Sequence, residues 1–239
     1  MERKTLIVIP TYNERENIET LILEILTLHH PFHILVVDDF SPDGTWKVVS
    51  HIAEEEERVN LIIRRKKEGL GKAYREGFQW GLKENFEIIF QMDADFSHHP
   101  LYLPVFLERM KEADVVIGSR YVWGGRVSEW SKGREILSRA GNLYTRLFLR
   151  LPIKDITSGF RCYRREVLES MPWERFSSHG FAFQIEMTYY AYRKGFRIVE
   201  TPITFQGRKK GASKMGWGII REAIFLIPAL RVRGFLDRI

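Results

Sequence analysis

A chain of 239 residues, 44% hydrophobic and 13% aromatic, can fold around a sizeable core as one α/β domain or at most two small ones, which excludes a disordered polypeptide. A formal net charge of +6 points to anionic partners: nucleotides, phosphates, nucleic acid or an acidic membrane surface. The single cysteine, Cys162, excludes an internal disulfide and a cysteine-built zinc site; with no leader in Met1-Glu2-Arg3-Lys4 and no run of about 18 apolar residues, a cytosolic setting without a spanning helix is expected.

Taken in order, apolar strands alternate with amphipathic helices. Thr5 to Ile9 reads as a first strand ending at Pro10. Asn13 and Glu16 have the spacing of a capping box, and Ile18, Leu21, Ile22, Ile25 and Leu26 follow at helical spacing. A second strand, His33 to Val37, runs into Asp38-Asp39, and the turn Pro42-Asp43-Gly44-Thr45 opens a helix to about Glu57. A third strand, Val59 to Ile63, meets a basic loop before a helix from Lys72 to about Glu84. A strand at Ile88, a helix from Pro100 and a fifth strand from Asp114 to Ile117 complete the pattern. This order predicts a mostly parallel, doubly wound, Rossmann-like sheet in a single domain.

The chain is organised around Gln91-Met92-Asp93-Ala94-Asp95-Phe96-Ser97-His98-His99-Pro100, where two carboxylates emerge as the fourth strand ends. Strand ends on that edge of an α/β sheet form the ligand crevice. A carboxylate pair there suits Mg²⁺ or a similar hard cation, which takes few protein carboxylates and completes its shell from substrate phosphates. The plain alternative is a polar turn before a helix. Pro10 to Glu14, Asp38-Asp39 and Ser119-Arg120 gather at the same edge, and four strand ends bearing functional groups point to one nucleotide site. Gly69-Leu70-Gly71-Lys72 lacks both the earlier glycine and the following Ser or Thr of a phosphate loop, so its glycines are expected to serve a tight turn and close helix packing.

Val8 to Glu14, Val36 to Thr45, Met92 to Pro100 and Gly118 to Tyr121 resemble the family 2 glycosyltransferases of the GT-A fold. In the second half, Ser138-Arg139-x-x-Asn142, Asp155 to Arg161, Phe183 to Met187, and Phe205 through Arg208 to Met215 are similar to the dolichol-phosphate (polyprenol-phosphate) mannose synthases. The resemblance covers residues 4 to about 216 and defines a transferase domain, 1–216, followed by a tail, 217–239. It implies transfer of mannose from GDP-mannose to a polyprenyl (dolichyl) phosphate with Mg²⁺ or Mn²⁺. Pro10, Tyr12, Glu14, Val37 and Asp39 match positions that hold the base and ribose, and Asp93, Ala94 and Asp95 the segment that binds donor and metal. Asp95 is the implied direct ligand; Ser97 stands where some relatives carry a metal-binding Gln. Arg120, Arg208 and Lys214 match cationic positions around the phosphates, and Arg134 and Ser138 those that hold the lipid phosphate, so Asp95, Arg120, Arg134 and Ser138 are the implied catalytic set.

The implied chemistry needs no base. A phosphate with a second pKa near ~6 is largely dianionic at neutral pH and already nucleophilic, and direct displacement by it inverts the anomeric centre. Two alternatives stay open: another donor such as UDP-glucose, and a hydroxyl acceptor with Glu186 as base, although Glu186 can equally begin a helix running to Lys194. Arg120, Arg134 and Arg139, with Tyr121, Trp123, Gly124 and Gly125 among them, are expected on a mobile anion-binding loop, and His98 and His99 in helix-entry packing. A nucleic-acid partner is not expected, since basic and acidic residues interleave and no such motif is present. The arginine-studded apolar tail from Trp217 reads either as core cover or as an interfacial helix. Relatives continue into membrane-spanning helices at this point. Peripheral contact with the cytoplasmic face of a membrane, or a membrane-anchoring partner protein, is therefore expected.

Overall fold

In a computed structural model, residues 3–178, 180, 182–207 and 226–233 are described. The predicted alternation is present as β1 (Thr5–Thr11), α1 (Arg15–Leu26), β2 (His33–Asp38), α2 (Thr45–Glu55), β3 (Val59–Ile63), α3 (Leu70–Lys83), β4 (Ile88–Gln91), α4 (Leu103–Arg109) and β5 (Val115–Ser119). A second half without a clear sequence period adds β6 (Arg126–Val127), α5 (Lys132–Leu149), β7 (Arg161–Arg164), α6 (Arg165–Glu169), α7 (Ala182–Arg193), β8 (Ile198–Pro202) and β9 (Thr204–Phe205).

The main sheet has the order β3-β2-β1-β4-β7-β5-β8. Parallel pairing joins β3 to β2, β2 to β1, β1 to β4 and β5 to β8. β7 pairs antiparallel with both β4 and β5, so it alone runs backwards in a sheet otherwise parallel. That reversal matters for function. An antiparallel strand starts where its neighbours end, so the segment entering β7, residues 155–160, is delivered to the ligand edge.

Both faces of the sheet are covered, which is why the strands read as continuous apolar runs. Alternate residues divide between two cores: Leu6, Val8, Leu35 and Val37 pack with Tyr74, Phe78 and α7, while Ile7, Ile9, Ile34 and Val36 pack with Ile18, Leu21, Val49 and Phe106. Gly77 and Gly81 let α3 lie directly on β1. A Cβ at Gly77 would come within 2.4 Å of Val8 Cγ1, and one at Gly81 within 2.7 Å of Leu6 Cδ2.

The expected capping box does not form. Asn13 takes a left-handed φ of 59°, and the N-cap, Glu14, makes no side-chain cap. The N–H groups of Asn13, Glu14 and Arg15 instead donate to Ser41 Oγ (3.0 Å), Thr45 Oγ1 (3.0 Å) and Asp43 Oδ2 (3.1 Å). The turn opening α2 therefore caps α1 from outside, satisfying donors that a helix start leaves unpaired. In the tail, Leu226, Ile227 and Leu230 are buried in the first core, so that face of residues 226–233 packs inward. No described helix is long and apolar enough to cross a membrane.

Candidate active site

The ends of β1 and β2 form a stitched floor. Asp38, fully buried, receives hydrogen bonds from Thr11 Oγ1 (2.6 Å), Ser41 N–H (2.7 Å) and Ser41 Oγ (2.6 Å), and so is committed to the loop. Its neighbour Asp39 faces Arg64, with Nη1 2.8 Å from Oδ1, and Arg64 also meets Glu68 (3.3 Å) and Glu76 (3.2 Å). Burial pushes the Asp39 carboxyl up, and Arg64 opposes that shift. Pro10, Tyr12 and Glu14 are half-buried at this edge, and Lys67 Nζ sits 3.7 Å above the Tyr12 ring. The Val37 side chain lies in the core under α3, as that of Ala94 lies in the opposite core, so any part these two take in holding a ligand falls to their backbone. The glycines of the 69–72 segment do what packing predicts: Gly69 caps α3 at a φ of 97°, and a Cβ at Gly71 would stand 3.1 Å from Phe183.

The carboxylate loop is held from below. The Tyr74 hydroxyl, fully buried, donates to Asp93 Oδ1 at 3.1 Å, and burial followed by the nearby Asp93 charge raises its pKa, keeping it a donor. The Asp93 N–H donates to His98 Nδ1 (3.0 Å), which places the imidazole proton on Nε2. His98 is buried and stacked on Phe160 at 4.9 Å, and burial, opposed by Asp93 and Asp95, lowers its pKa. His98 is therefore a support for the loop, whereas His99 does serve helix entry, accepting from Leu101 N–H. Asp95 Oδ1 receives Ser97 N–H (3.1 Å) and Ser97 Oγ (2.6 Å). Gly159 completes the wall: a Cβ there would meet His98 Cε1 at 3.3 Å and Asp93 Oδ2 at 3.6 Å.

Opposite stands a cationic cluster built on aromatic rings. Arg120 is clamped by Asp155 through Nε (2.7 Å) and Nη2 (2.6 Å), with Thr157 Oγ1 at 2.9 Å, while Nη1 takes no part in these bonds. Burial lowers the pKa of the guanidinium, yet the Asp155 carboxylate holds it above its ordinary value. Tyr121, Trp130 and Phe205 surround Arg120 at 5.1, 5.5 and 5.4 Å. Arg134 lies 4.1 Å over Trp130, Tyr121 Oη donates to Ser138 Oγ at 2.7 Å, and Arg139 lies 4.7 Å over Tyr121. The structure thus brings Arg120, Arg134 and Ser138 together, with Arg134 and Arg139 on α5 and not on the expected loop. Phe205 contacts both His98 (5.7 Å) and Trp130 (5.4 Å), joining the carboxylate and cationic halves into one site. Trp130, Tyr74 and Arg64 escaped the sequence reading; aromatic residues interleaved with arginines were the available signal for the first.

Arg161, fully buried, ties the 155–160 segment to α7 by donating to Ser158 O (2.7 Å), Ile156 O, Gln184 O (3.0 Å) and Thr188 Oγ1 (2.8 Å). Glu186, the alternative base, is fully buried. Its Oε1 accepts from Ser177 N–H and Oγ (3.1 and 3.3 Å), its Oε2 from Ser178 N–H (3.0 Å) and Oγ. Such a carboxylate anchors a loop. Arg208 and Lys214 lie outside the described residues, as does most of the 217–239 tail.

Residues 6–171 match the family model for glycosyl transferase family 2. The chain is 46% identical over 238 residues to polyprenol monophosphomannose synthase of Mycolicibacterium smegmatis, covering 99% of this chain and 90% of that protein. It is 44% identical over 221 residues to undecaprenyl-phosphate mannosyltransferase of Micrococcus luteus, covering 92% and 91%. Among solved structures it is similar to glucosyl-3-phosphoglycerate synthase of Mycobacterium tuberculosis in complex with Mn²⁺, UDP and glucosyl-3-phosphoglycerate, with TM-score 0.67, 18% identity and coverage of 97% and 80%. It also resembles mannosyltransferase PcManGT of Pyrobaculum calidifontis in complex with GDP-Man and Mn²⁺, with TM-score 0.60, 17% identity and coverage of 99% and 65%. At such identities the structural likeness carries the fold alone, and that fold is GT-A. The family match and the two relatives carry more, and the chain belongs to glycosyl transferase family 2.

Proposed function

We propose that this glycosyltransferase moves mannose from GDP-mannose to the phosphate of a polyprenyl phosphate at the cytoplasmic face of a membrane, inverting the anomeric centre. The observation that carries this reading is the convergence of Arg120, Arg134 and Ser138 on one aromatic-walled cluster joined through Phe205 and His98 to Asp93. Arginine forks suit a phosphate acceptor. The committed state of the other nearby carboxylates supports it too: Asp38 is held by Thr11 and Ser41, Asp155 by Arg120, and Glu186 by Ser177 and Ser178. A dianionic phosphate needs no base. The names of the two close relatives point to the same acceptor class and sugar.

On the donor side, Tyr12 and Asp39 bound the nucleoside, with Pro10 and Glu14 beside them. Asp93 fits a divalent cation. Among the described residues no lysine or arginine lies at ion-pairing distance from it, and its polar neighbours are the Tyr74 hydroxyl and the neutral His98 ring. Asp93 and Asp95 would hold Mg²⁺ or Mn²⁺, with Ser97 orienting Asp95. When bound, the ion neutralises charge on the departing diphosphate. No group of three His, Cys, Asp or Glu side chains gathers among the described residues, which suits an ion completed by substrate phosphates. Arg208 and Lys214 are assigned to the diphosphate on the family resemblance.

The test is calorimetric titration of GDP-mannose and UDP-glucose with and without Mn²⁺, then transfer to undecaprenyl phosphate with the product anomer read by NMR. GDP-mannose is expected to bind in a metal-dependent manner and yield the inverted mannosyl phosphate, and Asp95→Ala to lose both. Preference for UDP-glucose, or activity in Asp95→Ala with EDTA present, would overturn the reading.

A further inference from the structure

We propose that a buried hydrogen-bond chain, Arg161–Tyr163–Gln91–Tyr74, supports the Asp93 carboxylate from beneath the sheet edge, with Gln91 and Tyr163 as positioning residues and the Arg161 charge as the anchor. It rests on the proposed metal at Asp93 and Asp95, and adds the interior groups that hold the first of these carboxylates ready for the ion.

Strands β4 and β7 place the chain. Their antiparallel register sets Gln91 opposite Arg161 and Ile89 opposite Tyr163, so Gln91, Arg161 and Tyr163 project to one face of the sheet. That face is covered by α3 and α7: Tyr163 packs edge-on against Phe78, and Arg161 reaches Gln184 O and Thr188 Oγ1. The Tyr163 hydroxyl, fully buried, donates to Gln91 Oε1 at 3.3 Å. The Arg161 guanidinium lies against that hydroxyl and opposes the rise that burial imposes on its pKa. At the other end the Gln91 amide does the same for the Tyr74 hydroxyl, which donates to Asp93 Oδ1 at 3.1 Å. Gln91 Nε2 is buried and has no other acceptor among the described residues.

Charge balance gives the chain its purpose. Arg161 is fully buried, yet its hydrogen-bond partners among the described residues are neutral: the carbonyls of Ile156, Ser158 and Gln184 and the Thr188 hydroxyl. Neutral acceptors satisfy the protons of a guanidinium without cancelling its charge, and a buried cation left so is costly. Asp155, the acid on the segment that Arg161 holds, is spent on Arg120. Asp93 is a carboxylate at this edge that no described lysine or arginine pairs with. A fixed positive charge and a lone carboxylate thus stand at the two ends of a row of neutral groups, each donating toward Asp93. In such a row each bond polarises the next, so Tyr74 is a stronger donor to Asp93 than an isolated phenol. The carboxylate keeps one orientation before the ion arrives, as the outer partners of metal ligands ensure. Arg161 also fixes the segment that carries Asp155 and Thr157, so the donor and acceptor halves of the site share one buried anchor.

The experiment is a double-mutant cycle of Tyr163→Phe and Tyr74→Phe in the full chain, read by calorimetric titration of GDP-mannose with and without Mn²⁺ and by the Tm shift that Mn²⁺ alone produces. Tyr163→Phe removes one hydroxyl and leaves the ring on Phe78 and the four bonds of Arg161 in place. It is expected to weaken Mn²⁺-dependent binding about threefold, against about tenfold for Tyr74→Phe, and to leave metal-independent binding unchanged. With Tyr74 already replaced the chain is cut. The double variant is therefore expected to match Tyr74→Phe at about tenfold, short of the roughly thirtyfold that independent sites would give. Arg161→Lys, which keeps the charge, is expected to retain more Mn²⁺-dependent affinity than Arg161→Met, which keeps only the length. Equal affinities in these two would overturn the part given to the charge; where neither folds, the cycle decides alone. Effects that multiply to roughly thirtyfold, or a Tyr163→Phe that weakens binding equally with and without Mn²⁺, would overturn the chain. A protein whose Tm responds to Mn²⁺ with the same non-additivity, but which binds no GDP-mannose, would uphold the chain and sink the proposed donor. No response to Mn²⁺ with either GDP-mannose or UDP-glucose would overturn both.

Discussion

Replacing Glu186 by glutamine separates loop anchoring from acid–base catalysis. The carboxylate is fully buried and accepts four hydrogen bonds, two on each oxygen, from Ser177 and Ser178. Glutamine keeps the shape but turns one oxygen into an NH₂ group. Whichever way the amide is oriented, that group faces a backbone N–H, of Ser177 at one position or of Ser178 at the other. One backbone donor is then left without an acceptor, and the remaining bonds lose their charge assistance. A buried unsatisfied donor and the weakened charge-assisted bonds together cost about 3 kcal/mol. In a domain of this size that lowers Tm by about 6 to 12 °C. Scanning calorimetry reads this term, and initial transfer rates measured well below the variant's Tm read the catalytic one. The rate of the folded variant is expected to stay within a few-fold of wild type. General base catalysis is worth about 10² to 10⁴-fold, so a loss of that size with an unchanged Tm would refute the anchoring role and favour a hydroxyl acceptor.

Tyr74→Phe removes the donor to Asp93 Oδ1 and leaves the ring stacked between Phe78 and Phe183. Mn²⁺-dependent GDP-mannose binding is expected to weaken about tenfold, as for other groups that orient a ligand, while metal-independent binding stays put; equal loss of both would show that the hydroxyl serves only folding. At the surface, the hydrogen-bonded Arg58 holds the Glu56 pKa down, from 4.5 to about 2. Its folded pKa lies below the unfolded one, so the stabilisation is present above pH 4.5 and is lost as pH falls toward about 2. Glu56→Gln should therefore lower Tm at neutral pH and converge with wild type in acid. A constant Tm gap across that range would contradict the assignment.

Much of this protein was legible along the chain because the relevant physics is local. Strands covered on both faces read as apolar runs, helices keep their period, and Asp38, Asp39, Asp93 and Asp95 stand where a strand gives way to a turn. Those signals placed five strands and one ligand edge, whereas Arg120, Arg134 and Ser138 were singled out by the family resemblance and not by any local pattern.

What tertiary structure alone decided depends on contacts between distant residues. β7 runs backwards between β4 and β5, pairing Cys162 with Phe90 and with Val116, and no local pattern in a four-residue strand announces such a neighbour. Its reversal is what carries Gly159 against Asp93 and Asp155 against Arg120. Capping of α1 by Ser41, Asp43 and Thr45, burial of Val37 beneath Gly77, and closure of the Glu186 carboxylate on Ser177 and Ser178 likewise follow from packing. Helix α5 is the plainest case. The sequence led to a mobile loop around Arg134 and Arg139, whereas the structure has a helix there, and the Asn142–Thr157 hydrogen bonds fix its polar side against the protein and turn the apolar side out.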